Sequence, residues 1–494
     1  MRPNDVHLSD LLEGDNAEVT DGPRHSDPTI AGLTCDSRQV EPGFLFAALP
    51  GVTVDGRPFI ADAIGRGAAA LLAPTDTDVT AYADTLPAIL DDNPRRRFAR
   101  MAALFYRGQP NTVAAVTGTN GKTSSVDFLR QIWLRERIPA ASLGTLGVIT
   151  ADGRQEGSLT TPDPVALHKT LDRLAGDGVR CLAMEASSHG LSQYRLDGVR
   201  IAAAAFTNLT RDHLDYHASM SEYLDAKLRL FTEVMEPGGA AVLNADADAF
   251  GIVRDACETH GHRILSVGRN GQDIRLATSE PFDGGQRLRL SVDGRSMTVD
   301  LPLAGGFQAN NAITAAGLAI ACGMATDRAI AALENLHSVP GRLERVGRTV
   351  AGAPIYIDYA HTPDALETVI EALRPHAKGR LWVVFGCGGD RDSGKRPEMG
   401  RIACRLADKV IVTDDNPRSE NPAAIRSQIL ATCPGATEIG DRRQAIHAAI
   451  AGLTAEDLLI VAGKGHERGQ IVGKTVHPFN DADVVQDALA KVRG

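Results

Sequence analysis

The stretch Val116-Thr117-Gly118-Thr119-Asn120-Gly121-Lys122-Thr123 decides the fold. It follows a short apolar run over 112–116 and precedes a long amphipathic segment over 124–137. An apolar run, a glycine-rich loop and a helical pattern in that order read as strand, phosphate cradle and helix. Such a cradle meets an anion with backbone N–H groups and with the positive end of the following helix. Lys122 reaches the terminal phosphates, and the Thr123 hydroxyl is suited to Mg2+. The strict pattern GxxxxGK[ST] fails at its first glycine, because Val116 stands there. The loop alone does not choose between a switch GTPase, a kinase and a ligase.

Outward from this loop, apolar runs and helical patterns alternate. Strand-like runs at 180–184, 201–206 and 240–243 predict a parallel α/β sheet. From about 271 to 302 the pattern turns to polar alternation, and Asp293-Gly294 predicts a two-residue hairpin turn. Beyond Val339-Pro340-Gly341, strands at 355–359, 381–385, 409–413 and 458–462 alternate with helices at 363–374, 395–407, 422–432, 442–452 and 482–492. This is a doubly wound, Rossmann-like rhythm. It lacks a GxGxxG after its first strand, which argues against a dinucleotide cofactor. Before the break at Gly108-Gln109-Pro110-Asn111, a strand over 44–49 and a helix over 60–73 are predicted. The fold class is therefore α/β in three domains. These are a small α/β domain at 1–109, a central ATPase-like parallel sheet with an added antiparallel part at 110–337, and a Rossmann-like domain at 338–494. A chain of 494 residues accommodates three domains of ordinary size.

Composition narrows the function. Hydrophobic residues are 43% and charged residues 23%, a globular balance that excludes wholesale disorder. The net charge of −10 argues against nucleic acid as a partner, leaving phosphate binding to local sites. No apolar run approaches the ~20 residues of a membrane span, and residues 1–10 lack the apolar core of a signal peptide. The seven cysteines are scattered and never form CxxC, as expected of reduced thiols in a cytoplasmic protein.

Three further features carry chemistry. Glu185 ends an apolar strand in the same α/β unit as the phosphate loop, where a carboxylate is placed to hold Mg2+. Asp212, His213, Asp215 and His217 crowd one loop after the next strand, some of them as plain turn formers. Lys227 shares a helical stripe with Tyr223 and Phe231, spaced four apart. Spacing alone favours a lysine whose stem packs on the apolar stripe while its amine reaches water.

The variant Thr117-Gly118-Thr119-Asn120-Gly121-Lys122-Thr123 resembles the Mur ligase and folylpolyglutamate synthetase superfamily of ATP-dependent amide-forming enzymes. The resemblance runs along nearly the whole chain, and it implies roles. Residues 118 to 124, Ser124 included, would bind ATP, with Lys122, His213 and Lys227 catalytic. Two Mg2+ ions would be held by Thr123, Glu185, His213 and Lys227, the last as a CO2-derived carbamate (N6-carboxylysine). Asn311, Arg342, Asp358 and His361 would face ATP. The family motif at Gly306-Phe307-Gln308-Ala309-Asn310-Asn311 usually has Asn where Gln308 stands; these amides otherwise read as caps of the following helix. Thr362-Pro363 also reads as a helix cap with Pro at N1.

Near the N-terminus, Thr34-Cys35-Asp36-Ser37-Arg38 and Gly51-Val52-Thr53-Val54 resemble the part of such ligases that binds a UDP-sugar. Cys35, Val52, Thr53 and Val54 would line the uracil pocket and Ser37 would contact the diphosphate; residues 36–38 otherwise read as a simple turn. Thr160, Thr161, Ser187, Gln193 and Arg195 would hold the UDP-muramoyl-dipeptide. In the third domain, Asp414-Asp415-Asn416-Pro417-Arg418 resembles the motif of members that add meso-2,6-diaminopimelate. Arg391, Asn416, Pro417 and Arg418 would clamp it, with Asp415, Gly463 and Glu467 positioning the rest. The implied enzyme is an ATP-dependent acid–amino-acid ligase of peptidoglycan precursor synthesis, working through an acyl phosphate and expected to be a monomer. The residues leave open the same chemistry with L-lysine or another amino acid. From another class, a non-catalytic nucleotide-binding regulator also stays open.

Overall fold

The computed structural model describes residues 6–12, 18–20, 27–51, 54–157, 159–214 and 216–493. Val52, Thr53 and Asp215 lie outside the described residues. The chain divides into two compact units, Met1–Leu265 with Gly317–Met324, and Ser266–Ala316 with Ala325–Gly494.

The first unit holds two sheets. The smaller one has strands ordered Glu18–Thr20, Ala88–Asp91, Ala70–Pro74, Phe44–Ala47 and Gly32–Thr34, antiparallel at the first pairing and parallel elsewhere. Leu45, Leu72 and Ile89 pack against Phe98, Met101 and Phe105 of the helix Pro94–Phe105, whose start is capped by Asn93. The predicted helix over 60–73 is corrected here. It stops at Gly65, and residues 70–74 form a parallel strand. Gly67 takes φ +94 and reverses the chain, and the run after it is buried as sheet rather than on one helical face.

In the larger sheet the strand Thr112–Thr117 lies between the parallel strands Ile201–Phe206 and Cys181–Glu185. Met235–Asn244 and Ala140–Gly144 flank these on either side, again in parallel. Such strands are apolar along their length because helices cover both faces. The phosphate loop thus leaves the carboxyl end of a central strand, beside both neighbours, the usual place for a ligand in an open α/β sheet.

In the second unit, Gly285–Val292 and Arg295–Leu301 pair antiparallel across the predicted Asp293-Gly294 turn, both residues having positive φ. A six-stranded sheet runs Glu344–Arg348, Pro354–Asp358, Leu458–Ala462, Leu381–Phe385, Lys409–Val412 and Thr437–Glu438. All but the first pairing are parallel. Val383 and Phe385 point into one core with Leu366, Ile370 and Met399. Val384 points into the opposite core with Ile446 and Val485, the alternation expected of a strand covered on both faces. A hairpin, Gly469–Val472 with Thr475–Pro478, follows the last parallel strand. No helix among the described residues is long and apolar enough to cross a membrane.

Candidate active site

The phosphate loop is fastened to the neighbouring strand end. Gly118 has φ +140, and a Cβ there would lie 2.0 Å from Thr207 Oγ1. Thr119 N–H donates to the Asn208 carbonyl, Asn120 N–H donates to Asn208 Oδ1, and Thr207 Oγ1 donates to the Asn120 carbonyl. The loop is preformed, and the helix Lys122–Arg135 starts directly after it, with Thr123 and Ser124 buried in its first turn.

Lys227 corrects the expectation drawn from spacing. Its side chain is 1% exposed and does not reach water. It sits in the helix Met220–Arg229, whose start is capped by Ser219, and its Nζ donates to the Gly118 carbonyl at 2.9 Å. Lys122 Nζ donates to the same oxygen at 2.8 Å and to the Thr119 carbonyl at 2.7 Å. Burial holds the Lys227 pKa well below the ordinary lysine value, and the Lys122 charge pushes the same way against the pull of Asp212. A neutral amine is the form that reacts with CO2. Tyr223 covers Lys227, with its ring centroid 4.2 Å from Nζ, and its hydroxyl donates to Thr119 Oγ1.

Glu185 is buried at its strand end. Its two carboxylate oxygens accept from the Thr145 N–H at 2.8 Å and the Thr145 hydroxyl at 3.1 Å. Gly144 opposes it closely: a Cβ there would stand 2.2 Å from Glu185 Oε1. His213 has φ +53 and packs edge-on to His189, near Tyr223. Glu185 and Thr123 offer the hard oxygen donors that Mg2+ prefers. Among the described residues no three His, Cys, Asp or Glu side chains cluster to hold a metal. Mg2+ in nucleotide sites ordinarily takes one or two protein ligands plus phosphates and water, so these donors fit the ion.

The residues expected at the muramoyl-dipeptide form one network. Thr160 Oγ1 meets Thr145 Oγ1 at 3.1 Å, and Thr161 Oγ1 donates to the Glu185 carbonyl. Ser187 donates to Thr161 Oγ1 through both its N–H and its hydroxyl, and caps the short helix Ser188–Ser192. Arg195 donates to the Thr161 carbonyl and to Gln193 Oε1, both at 2.7 Å, and Gln193 Nε2 donates to the Tyr216 hydroxyl. Cys35 is exposed, and it shares the electrostatic surroundings of Asp163, Arg95 and Arg195. Ser37 is buried and hydrogen-bonds Asp62, while Asp36 caps the turn and pairs with Arg38. Val54 is exposed.

The other expected ATP residues belong to the second unit. Gln308 and Asn311 lie inside the helix Gly306–Ala321 rather than capping it. Gln308 Nε2 donates to the Arg342 carbonyl and its Oε1 accepts from Asn311 Nδ2. Arg342 stacks 4.5 Å over the Tyr359 ring. Burial pushes Asp358 up to about 6, against the Arg342 charge and the N–H groups of Leu343 and Ala360. His361 is exposed and bonds the Tyr359 carbonyl through Nδ1, and Thr362 caps the next helix.

Two loops of the same unit form the third group. Asp415 and Asn416 are buried. Asn416 Nδ2 donates to Glu467 Oε2 at 2.9 Å, and Gln470 Nε2 holds the Asp415 carbonyl. Arg418, with φ +50, donates to the Gly389 carbonyl at 2.8 Å. It is bridged after Pro417 to the hairpin at Ile471 and Gly473. Arg391 is exposed. A Cβ at Gly463 would lie 2.8 Å from Asp415 Oδ2, so the two loops are in contact. Sequence reasoning missed Lys464, which joins Asn416 to Glu467, and Thr145, which holds Glu185. Lys464 stands directly after Gly463 and three residues before Glu467, but nothing in that spacing says that it points inward.

Three family models match the chain: "Mur ligase family, catalytic domain" at 29–107, "Mur ligase middle domain" at 116–319 and "Mur ligase, glutamate ligase domain" at 341–465. The chain is 53% identical over 490 residues to the UDP-N-acetylmuramoyl-L-alanyl-D-glutamate–2,6-diaminopimelate ligase of Bradyrhizobium diazoefficiens, covering 98% of this chain and 99% of that one. It is 54% identical over 492 residues to the protein of that name from Brucella melitensis, covering 99% and 98%. A solved structure of a ligase of that name superposes with a TM-score of 0.74 at 31% identity, over 99% of this chain and 100% of the other. A D-alanyl-D-alanyl-adding ligase from Acinetobacter baumannii has the same fold, with a TM-score of 0.62 at 19% identity, over 94% and 96%.

Proposed function

The chain belongs to the Mur ligase family, and from that premise we propose that it adds meso-2,6-diaminopimelate to UDP-N-acetylmuramoyl-L-alanyl-D-glutamate with ATP as co-substrate. The γ-phosphoryl group passes to the D-glutamyl carboxylate, giving an acyl phosphate. The diaminopimelate amine attacks that carbonyl carbon, and phosphate leaves as the amide closes. No side-chain nucleophile is required, because positioning and charge neutralisation carry such a reaction.

Residues 1–109 take the UDP-sugar, 110–337 take ATP and 338–494 take the amino acid. Lys122 and the loop N–H groups cradle the phosphates. Thr123, Glu185, His213 and carbamylated Lys227 would hold Mg2+, which offsets repulsion between the carboxylate and the γ-phosphate. Arg195, Gln193, Ser187, Thr160 and Thr161 hold the dipeptide end. Asn311, Arg342, Asp358 and His361 bind the rest of ATP. The reaction belongs in the cytoplasm, where ATP and the UDP-precursor are supplied.

The observation that carries the choice of amino acid is the meeting of Asn416 with Glu467 beside Arg418. A guanidinium, an amide and a carboxylate together read the carboxylate and ammonium of a second amino-acid centre, which lysine has only in part. The test is an amino-acid-dependent ligation assay with UDP-muramoyl-dipeptide, ATP and Mg2+. Product with diaminopimelate and little with lysine is expected. Phosphate release independent of both substrates would overturn the reading in favour of a regulator.

A further inference from the structure

Lys464 is a lysine with no exposure at all (0%) in the loop between the last parallel strand and the final hairpin. A buried ammonium is costly unless its donors are met by acceptors and its charge by a partner. Both conditions hold. Nζ donates to Asn416 Oδ1 at 3.0 Å and to Glu467 Oε2 at 2.7 Å.

This arrangement fixes two neighbouring side chains. A carboxamide has one acceptor end and one donor end, and a neighbour that can only donate decides which way it turns. Lys464 only donates, and so does the Ile471 N–H, which reaches the same Asn416 oxygen at 2.9 Å. Asn416 must therefore present Nδ2 on its other side, where it donates to Glu467. Glu467 in turn receives Lys464 and Asn416 on one oxygen, Oε2. Among the described residues nothing hydrogen-bonds its other oxygen, Oε1, which can accept from a ligand.

We propose that Lys464 is a positioning residue for amino-acid selection, setting the orientation of Asn416 and Glu467 that receives the second amino-acid centre of the incoming substrate. This rests on the reading of the crevice under Proposed function. Lys464 touches neither the reacting carboxylate nor ATP in this scheme. Its effect falls on the binding of the amino acid.

The test uses the full chain with ATP, Mg2+ and UDP-muramoyl-dipeptide, comparing wild type with Lys464→Met and Lys464→Gln. For Lys464→Met the KM for diaminopimelate is expected to rise at least about tenfold, as when a supporting shell is removed. The KM values for ATP and the dipeptide stay within about twofold. Lys464→Gln keeps one donor toward Asn416 and shows a smaller rise in the same constant; it also serves if the Met variant fails to fold. A merely structural lysine would lower the melting temperature and leave the three KM values in their wild-type ratio. That result, or an unchanged KM for diaminopimelate in either folded variant, overturns the proposal. A wild-type enzyme that does not ligate diaminopimelate would instead overturn the reading of the crevice.

Discussion

Lys122 and Lys227 donate to one and the same acceptor, the carbonyl oxygen of Gly118, at 2.8 and 2.9 Å. Two ammonium groups this close repel, and the buried one loses its proton more readily. Burial first, and the neighbouring Lys122 charge second, hold the Lys227 pKa well below the ordinary lysine value.

That division predicts what removal of Lys227 does. Lys227→Ala deletes the nitrogen that would carry the carbamate, and ligation should fall on the order of 100-fold. Short carboxylic acids such as acetate should restore part of the rate by standing where the carbamate would. A ligation assay across acid concentrations checks this, and a variant that no acid rescues counts against the carbamate.

Gly118→Ala places a Cβ 2.0 Å from Thr207 Oγ1 and forces alanine into φ +140. The strain is worth about 1–3 kcal/mol, and the loop must move to relieve it. The variant should lose the thermal shift that ATP gives the wild type. An unchanged shift would mean that the loop tolerates the displacement.

The proposed role of Arg418 in choosing the amino acid is open to a direct test. Arg418→Ala removes a charged donor worth on the order of 10–100-fold in binding. The preference for diaminopimelate over lysine should fall by that factor while turnover with saturating substrate changes little. Competition between the two amino acids in one assay measures the ratio directly, and a retained preference would place selection elsewhere.

His168 predicts a pH dependence of stability. Burial pushes its pKa from 6.5 down to about 4, partly opposed by the Asp197 carbonyl. The unfolded chain then takes up a proton that the native state refuses. Stability is complete above about pH 6.5 and is lost as pH falls through that window, by about 3 kcal/mol at its lower end. Urea unfolding of the wild type and of His168→Leu, at pH 7 and near pH 4, should diverge by that amount. Parallel profiles would sink the idea.

Much of the fold was legible because its signals are local. The run 112–116, the glycine loop and the amphipathic segment after it correspond to strand, loop and helix within two residues. Asp293-Gly294 announced its hairpin through the positive φ that the turn demands. The segment 60–73 failed because a short alanine- and leucine-rich run fits a buried strand as well as a helix, and only the Gly67 reversal separates them. Lys227 failed for a different reason. Its stripe was right, but whether a lysine escapes to water depends on what covers it, here Tyr223 and the phosphate loop more than a hundred residues upstream. Lys464 shares that difficulty, since its partner Asn416 comes from a separate loop.

Gly144 and Glu185 bear on how such a chain can change over generations. Their strands are locked side by side, and the carboxylate occupies the space that any side chain at 144 would need. Neither position is free to drift alone. A side chain at 144 would require the Glu185 carboxylate to shift away from its bonds to Thr145, and the proposed magnesium ligand would shift with it. The bare backbone at 144 is thus part of what sets the position of the carboxylate across the strand pair.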